Sequence, residues 1–199
     1  MGFQENEEGT HLKYFYHGSN IPGITQLEAR SKNTEEKVVY LTDCVPYALI
    51  YIWDAEHNGY SGKHVTGWVK NGVVYYEEQF SEQLKTFYQG VSGKLYSISD
   101  SPDIKPVEGR ENLFYCPNDV SVSKVEHISN VYEELLRYEI EGMFALLRYN
   151  DQSTERQEEL TNLIASSIVG EKFYEDNKEH QEFMERYFSR AWEMAKRIQ

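Results

Sequence analysis

The sequence predicts an α+β protein, and three features of its 199 residues carry that reading. Up to about residue 128 the apolar residues fall in short β-rich runs separated by Gly, Pro, Asn and Ser. From residue 129 onward they recur at spacings of three and four, as on helices. Within the first part, Asn71-Gly72 sits between two apolar runs, a strong signal for a tight hairpin. The predicted organisation is a β-rich domain over residues 1–128 and a helical extension over 129–199, folded as a hairpin or small bundle.

In chain order the β runs are KYFYH, KVVYLT, HVTGWVKNGVVYYEEQF, GKLYSIS, NLFYC and KVEHI. One helix is expected among them, PYALIYIWDAEHNG. Pro46 suits its first turn, where a missing N–H costs nothing, and a glycine marks its exit. SDSPDIKPVEGREN, with two prolines, reads as a loop. Ser129 is an N-cap candidate for the helical run SNVYEELLRYEIEGMFALLRY. STERQEELTNLIASSIVG follows, with Thr154 and Gln157 at capping-box spacing and Gly170 at the stop. The last segment, about 175–198, sets Phe183, Met184, Tyr187, Phe188, Ala191, Trp192 and Ala195 on one stripe, expected to pack against the β domain.

Composition narrows the function classes. A net charge of −13 disfavours nucleic acid, whose binding rests on neutralising phosphates, and anionic membrane surfaces. No apolar run approaches membrane-spanning length, and the N-terminal stretch lacks the apolar core of a signal peptide, so the chain reads as cytoplasmic. Cys44 and Cys116 stand far apart, outside any CxxC pattern, and are expected as reduced thiols with no zinc site. GYSGKHVTG fails as a phosphate loop, because His57 and His64 occupy positions that the pattern reserves for Gly and for Ser or Thr. The same two histidines flank a glycine turn and read as loop residues rather than metal ligands. GVSGK fails as a nucleophile elbow at Lys94. No GxGxxG occurs.

One constellation survives. KYFYHGSN ends an apolar strand in His17-Gly18-Ser19. An imidazole at a strand end can aim a donor at a ligand hydroxyl, while a neighbouring glycine permits close approach to the backbone. In VVYLTDCVPYALIYIW, Tyr40 alternates outward from Val39 and Leu41, and Tyr51 follows eleven residues later. Two tyrosines so presented can enclose a flat heterocycle.

YHGSN followed by VVYLTDCVPYALIY resembles the ADP-ribosyltransferase family, in its diphtheria-toxin and poly(ADP-ribose) polymerase branch. The resemblance covers roughly residues 13–128. It implies a split β core of two packed sheets with NAD, the substrate, in the cleft between them. It implies that His17 grips a ribose hydroxyl, that the Gly18 backbone and Ser19 hydroxyl hold the carboxamide, and that Tyr40 and Tyr51 enclose the nicotinamide ring. The family's catalytic Glu opens a late strand, and Glu111 in RENLFYCPNDV takes that place, with Glu77 and Glu78 in YYEEQF as rivals. Breaking the bond between ribose and nicotinamide develops oxocarbenium-like charge, which a carboxylate stabilises in the transition state above all. The activity implied is transfer of ADP-ribose from NAD, with nicotinamide released, to an acceptor for which the acidic composition favours a protein or a small molecule. Two alternatives stand beside it: a degenerate module that binds NAD, ADP-ribose or a protein without turnover, and RNA 2′-phosphotransfer on the same fold, for which Arg30 and Arg110 are the available cations.

Overall fold

Alternation in the β-rich part builds one large antiparallel sheet. The computed structural model of the chain describes residues 3–5, 11–31, 37–64 and 66–198. Strand β1 (Phe3–Glu5) pairs with β2 (His11–Ser19), and the short β3 (Gln26–Leu27) and β4 (Arg30–Ser31) precede β5 (Lys37–Thr42). Two short helices follow, α1 (Val45–Leu49) and α2 (Ala55–Asn58), then the hairpin of β6 (Gly67–Lys70) and β7 (Val73–Glu77). Next come α3 (Gln83–Tyr88), β8 (Gly93–Ser99), β9 (Lys105–Pro106), β10 (Leu113–Cys116), β11 (Val120–Ser121) and β12 (Lys124–Ile128). The chain ends through α4 (Val131–Ile140), β13 (Phe144–Leu147), α5 (Thr154–Gly170), α6 (Lys178–Tyr187) and α7 (Ser189–Ile198). The protein is α+β, as its sequence predicts.

The main sheet runs β12–β8–β2–β5–β10–β9, with β1 added to β2 and β4 to β5. Its two faces bury different residues because successive side chains point to opposite sides. On one face Phe15, Val39, Leu41, Tyr96, Ile98 and Cys116 pack with Leu27 and Val120, which the β3–β11 ribbon contributes. On the other, Tyr14, Tyr16 and Leu95 join the larger core formed with α1, α3, α4 and the C-terminal helices. A second sheet, β13–β7–β6, belongs to that core through Val74, Tyr76 and Phe144. Helix α1 and the residue after it touch both sheets: an added Cβ at Gly18 of β2 would lie 2.0 Å from Ala48 O, and one at Gly67 of β6 would lie 2.6 Å from Ile50 Cδ1.

The hairpin forms as its Asn-Gly pair predicts, with Asn71 and Gly72 both at positive φ (52° and 76°), the conformation a two-residue turn of this kind requires. Elsewhere the structure corrects the expected elements. The single helix expected over PYALIYIWDAEHNG is two: Asp54 accepts from the backbone N–H groups of Glu56 and His57 and so starts a new helix, leaving Tyr51 in the turn between. Helix α3 arises in a stretch where the sequence predicts no element, and strand β9 within the expected loop. The helical run from Ser129 ends at Gly142, whose φ is 76°, and FALL becomes β13, parallel to β7 with Phe144 opposite Val74. The segment after residue 128 is therefore not wholly helical, and it completes a sheet of the preceding part. Asn130, not Ser129, is the N-cap of α4, and Ser153, not Thr154, caps α5 by accepting from Arg156 N–H.

The aromatic stripe of the last segment divides at Phe188 into α6 and α7. It packs on the chain's own β-rich part: Phe183 lies against Trp53 and Phe87, and Phe188 against Phe80 and His64. Among the described residues no helix is long and apolar enough to cross a membrane, and no cluster of His, Cys, Asp and Glu could hold a metal ion.

Candidate functional site

The pairing between β2 and β5 is one residue pair long, Tyr16 opposite Thr42. Beyond it the two strands continue with other partners, β2 with β8 and β5 with β10. The sheet is thus split between β2 and β5, and His17 stands at the point where it opens.

Parity shows which backbone groups face the split. Asp100 N–H donates to Lys13 O, in register with the β2–β8 ladder, so Lys13, Phe15, His17 and Ser19 spend their backbone groups on β8. Tyr16 and Gly18 turn theirs toward β5. Two residues beyond Tyr16, a continued ladder would set Gly18 opposite Tyr40, but the pairing has already ended. The Tyr40 carbonyl takes a hydrogen bond from the His17 ring, Nδ1 to O at 3.2 Å. A carbonyl only accepts, so Nδ1 carries the proton.

Burial lowers the pKa of His17 more than the Tyr40 bond raises it, and the charges of Lys63 and Arg30 lower it further. The imidazole is therefore neutral at physiological pH, and Nε2, without a hydrogen-bond partner among the described residues, presents a lone pair. In this tautomer Nε2 can accept from a hydroxyl and cannot donate to one, the reverse of the polarity expected from the sequence. Arg30 lies opposite Val38, two residues from Tyr40 on the same face, while Lys63 comes from the loop after α2. In a chain of net charge −13, two cations bear on one imidazole.

The expected site residues divide into those gathered at the split and those engaged elsewhere. Tyr40 is 41% exposed and pairs with Tyr115 of β10. Gly18 owes its lack of a side chain to the protein itself, because α1 crosses β2 so closely that the Ala48 carbonyl fills the Cβ position. The same Ala48 oxygen accepts from Tyr51 N–H, so Tyr51 is held one hydrogen bond away from the atom that touches Gly18. The Tyr51 ring meets Tyr47 edge-on at 5.5 Å, its hydroxyl 3.3 Å from the Tyr47 hydroxyl, and burial pushes its pKa up. Ser19 is buried, and its Oγ accepts from Ile21 N–H at 3.2 Å, a turn contact.

Glu111 is exposed in the loop before β10. Its Oε2 accepts from Asn71 N–H at the tip of the β6–β7 hairpin, at 2.6 Å. Its neighbours tie the loop to the site: the Arg110 charge bears on the Tyr51 hydroxyl, and Asn112 donates to Asp43 at 2.6 Å, just before α1. The rival carboxylates are occupied. Glu77 forms a two-point ion pair with Arg156 of α5, both N–O distances 2.9 Å. Glu78, buried, accepts from Leu84 N–H and Tyr149 N–H, one on each oxygen, at 3.1 Å.

Sequence reasoning missed Lys63 as a charge that acts on His17 and Tyr115 as the cross-strand partner of Tyr40. Strand alternation in NLFYC carried a usable signal for Tyr115; nothing local signalled Lys63. Two surface concavities, of about 680 and 240 Å³, lie elsewhere, the first lined by Lys37, Pro117 and Asp119 among others and the second by Glu78, Tyr132 and Arg148. His57 and His64 are engaged with Thr86 O and Gln79 Oε1, each at 3.1 Å. No family model, no curated protein and no solved structure matches the chain.

Proposed function

We propose that this chain is an ADP-ribosyltransferase that takes NAD at the split between β2 and β5. The observation that carries the reading is the His17 imidazole at the opening of that split. It is neutral, fixed through Nδ1 on the Tyr40 carbonyl, and offers Nε2 to a hydroxyl, with the Gly18 backbone turned toward the same gap. A ribose hydroxyl suits Nε2. The N–H and C=O of one residue suit a carboxamide, which needs an acceptor and a donor side by side. Exposed Tyr40 and half-buried Tyr51 are the candidates for flat faces on either side of the pyridine ring. Arg30, which also pairs with Glu28 at 3.2 Å, and Lys63 are the cations whose charge reaches His17.

The fit has two departures from the resemblance. Ser19 is buried and its Oγ accepts from Ile21 N–H within its own turn, so it keeps only its O–H to donate and the Gly18 backbone supplies the paired contact to the carboxamide. Glu111 is anchored through Oε2, while its Oε1 has no hydrogen bond among the described residues. In the reaction the bond from ribose C1′ to the pyridine nitrogen breaks, and its electron pair leaves with nicotinamide. The positive charge that develops on the sugar is what a carboxylate at Glu111 stabilises, and the proton lost by the attacking acceptor passes to that carboxylate or to water. The occupation of Glu77 and Glu78 by Arg156 and by two backbone amides favours Glu111 among the three.

The exposure of Glu111 supports a second reading, a module that binds NAD or ADP-ribose without turning it over. Incubation with NAD separates them. Nicotinamide release that disappears in Glu111→Gln, with NAD binding kept, supports the transferase. Saturable binding without release supports the module, and the absence of both refutes the site.

A further inference from the structure

The outer strand of a sheet leaves backbone groups without a strand partner, and the sheet ends of this fold are not alike. The main sheet ends in β9, which contains Pro106, and in β12, which carries Lys124, Glu126 and His127. Proline and charge keep such edges from pairing with another chain. The second sheet ends in β6, Gly67-Trp68-Val69-Lys70, whose one charge lies at its turn end. The hairpin fixes which of its backbone groups face outward. Val74 N–H donates to Met143 O and Glu78 N–H to Leu147 O, so alternation turns Val73 and Tyr75 toward β6. Their partners Lys70 and Trp68 are thereby bonded. Gly67 and Val69 point N–H and C=O away from the sheet, where no hydrogen bond reaches them among the described residues. Beside this edge Trp68, 40% exposed, stacks on Tyr75 with centroids 5.6 Å apart and planes 12° from parallel. The register sets Met143 and Leu147, both partly exposed, on the same side of the sheet.

We propose that β6 takes up an extended polypeptide segment as an added strand, and that this segment is the acceptor of the transfer. Alternating outward N–H and C=O groups are matched by another extended backbone, and the segment's alternate apolar side chains lie on Trp68 and Tyr75. A second copy of the chain would offer the same backbone, but a net charge of −13 on each copy opposes pairing over so short an edge. The hairpin also leads to the site. Asn71 N–H at its turn donates to Glu111 Oε2 at 2.6 Å, and Leu113 pairs with Thr42, the partner of Tyr16 beside His17. A strand rises about 3.3 Å per residue, so a segment paired at Gly67 and Val69 reaches that turn within two or three further residues. There a nucleophilic side chain bonds to ribose C1′ as nicotinamide leaves with its electron pair, and the proton passes to Glu111 or to water. The acceptor role rests on the reading of the site given above; the added strand does not.

The test reads amide hydrogen exchange in the full chain by NMR. The probe is reduced, carboxymethylated lysozyme, an unfolded polypeptide, with native lysozyme as the folded control. In the free protein the amides of Gly67 and Val69 exchange fast, while those of Trp68 and Lys70 are slowed by their bonds to β7. Unfolded lysozyme slows Gly67 and Val69 about tenfold, and native lysozyme does not. Amides that stay fast with the unfolded form overturn the proposal. Slow exchange in the free protein that deepens with its own concentration assigns the edge to a second copy, and also overturns it. Val69→Pro removes one outward N–H without breaking the ladder and weakens binding of unfolded lysozyme about tenfold. Where that variant does not fold, Trp68→Glu, at an exposed position, is required to weaken it likewise. With NAD added, transfer of ADP-ribose to unfolded lysozyme falls by the same factor in the variant, while nicotinamide release into water is unchanged. Transfer that holds in the variant, or wild-type release with no transfer to unfolded lysozyme, contradicts the acceptor role. If wild type releases no nicotinamide, the reading of the site fails, and the exchange measurement still decides the added strand.

Discussion

Gly18→Ala distinguishes a glycine kept for the fold from one kept for a ligand. The new Cβ would lie 2.0 Å from Ala48 O, 2.9 Å from Ala48 C and 3.0 Å from Ile52 Cγ1. Two of these atoms are backbone, so a rotamer change cannot relieve the contact. Ordinary contact begins near 3.4 Å, so α1 has to retreat by 3.4 − 2.0, about 1.4 Å. Pro46, Tyr47, Ala48 and Leu49 are all buried, and the helix cannot move that far without loosening them. Overpacking against a rigid neighbour costs about 3 kcal/mol. For a domain of this size that lowers Tm by roughly 6–12 °C. Urea unfolding followed by circular dichroism measures it, with Gly170→Ala as the control. Gly170 lies in α5 with nothing within 4 Å of its added Cβ, so its replacement is neutral or stabilising by up to about 1 kcal/mol. A Gly18→Ala variant within about 0.5 kcal/mol of wild type would refute the close crossing of α1 over β2.

Three further outcomes follow from the same contacts. Glu111→Gln lowers the rate of nicotinamide release about 10²- to 10³-fold while NAD affinity holds, measured by single-turnover kinetics and calorimetry; equal losses in both contradict its assignment. Glu78→Gln destabilises the fold by about 1–3 kcal/mol, because an amide cannot accept on both sides from Leu84 and Tyr149, and NAD affinity in the folded fraction is unchanged; a change in affinity without a change in stability would place Glu78 at the site. Burial lowers the pKa values of His17 and His64 in the fold, so the unfolded chain binds more protons in the window from the ordinary value of about 6.5 down to the folded values. Stability therefore falls as pH drops through that window. His17→Asn reduces the slope, and a slope equal to that of wild type contradicts a half-buried neutral imidazole.

The strands of the first half were legible because their signal is local: KVVYLT and GKLYSIS carry alternation and punctuation within themselves. FALL was not legible as a strand. Four apolar residues after a helical run fit either state, and what decides is parallel pairing with β7, some 70 residues earlier in the chain. The run from Ile50 to Trp53 misled for another reason. Ile50, Ile52 and Trp53 are all buried, so no polar face exists to show that helical periodicity has stopped. At the site, the order His17, Tyr40, Tyr51 could be read from residue types and spacing. The reason for Gly18 could not, since it depends on where α1 crosses the sheet. Nor could the employment of Glu77 and Glu78, whose partners Arg156 and Tyr149 belong to the segment after residue 128.

The most direct measurement concerns His17 itself: NAD is titrated into protein carrying ¹³C-labelled histidine, and the imidazole resonances are followed. A ligand whose hydroxyl donates to Nε2 shifts the His17 signals saturably. Those of His127, whose Nδ1 is bonded to Gly93 O on β8 at 3.1 Å, stay in place. His17 signals that do not move at millimolar NAD would contradict the account.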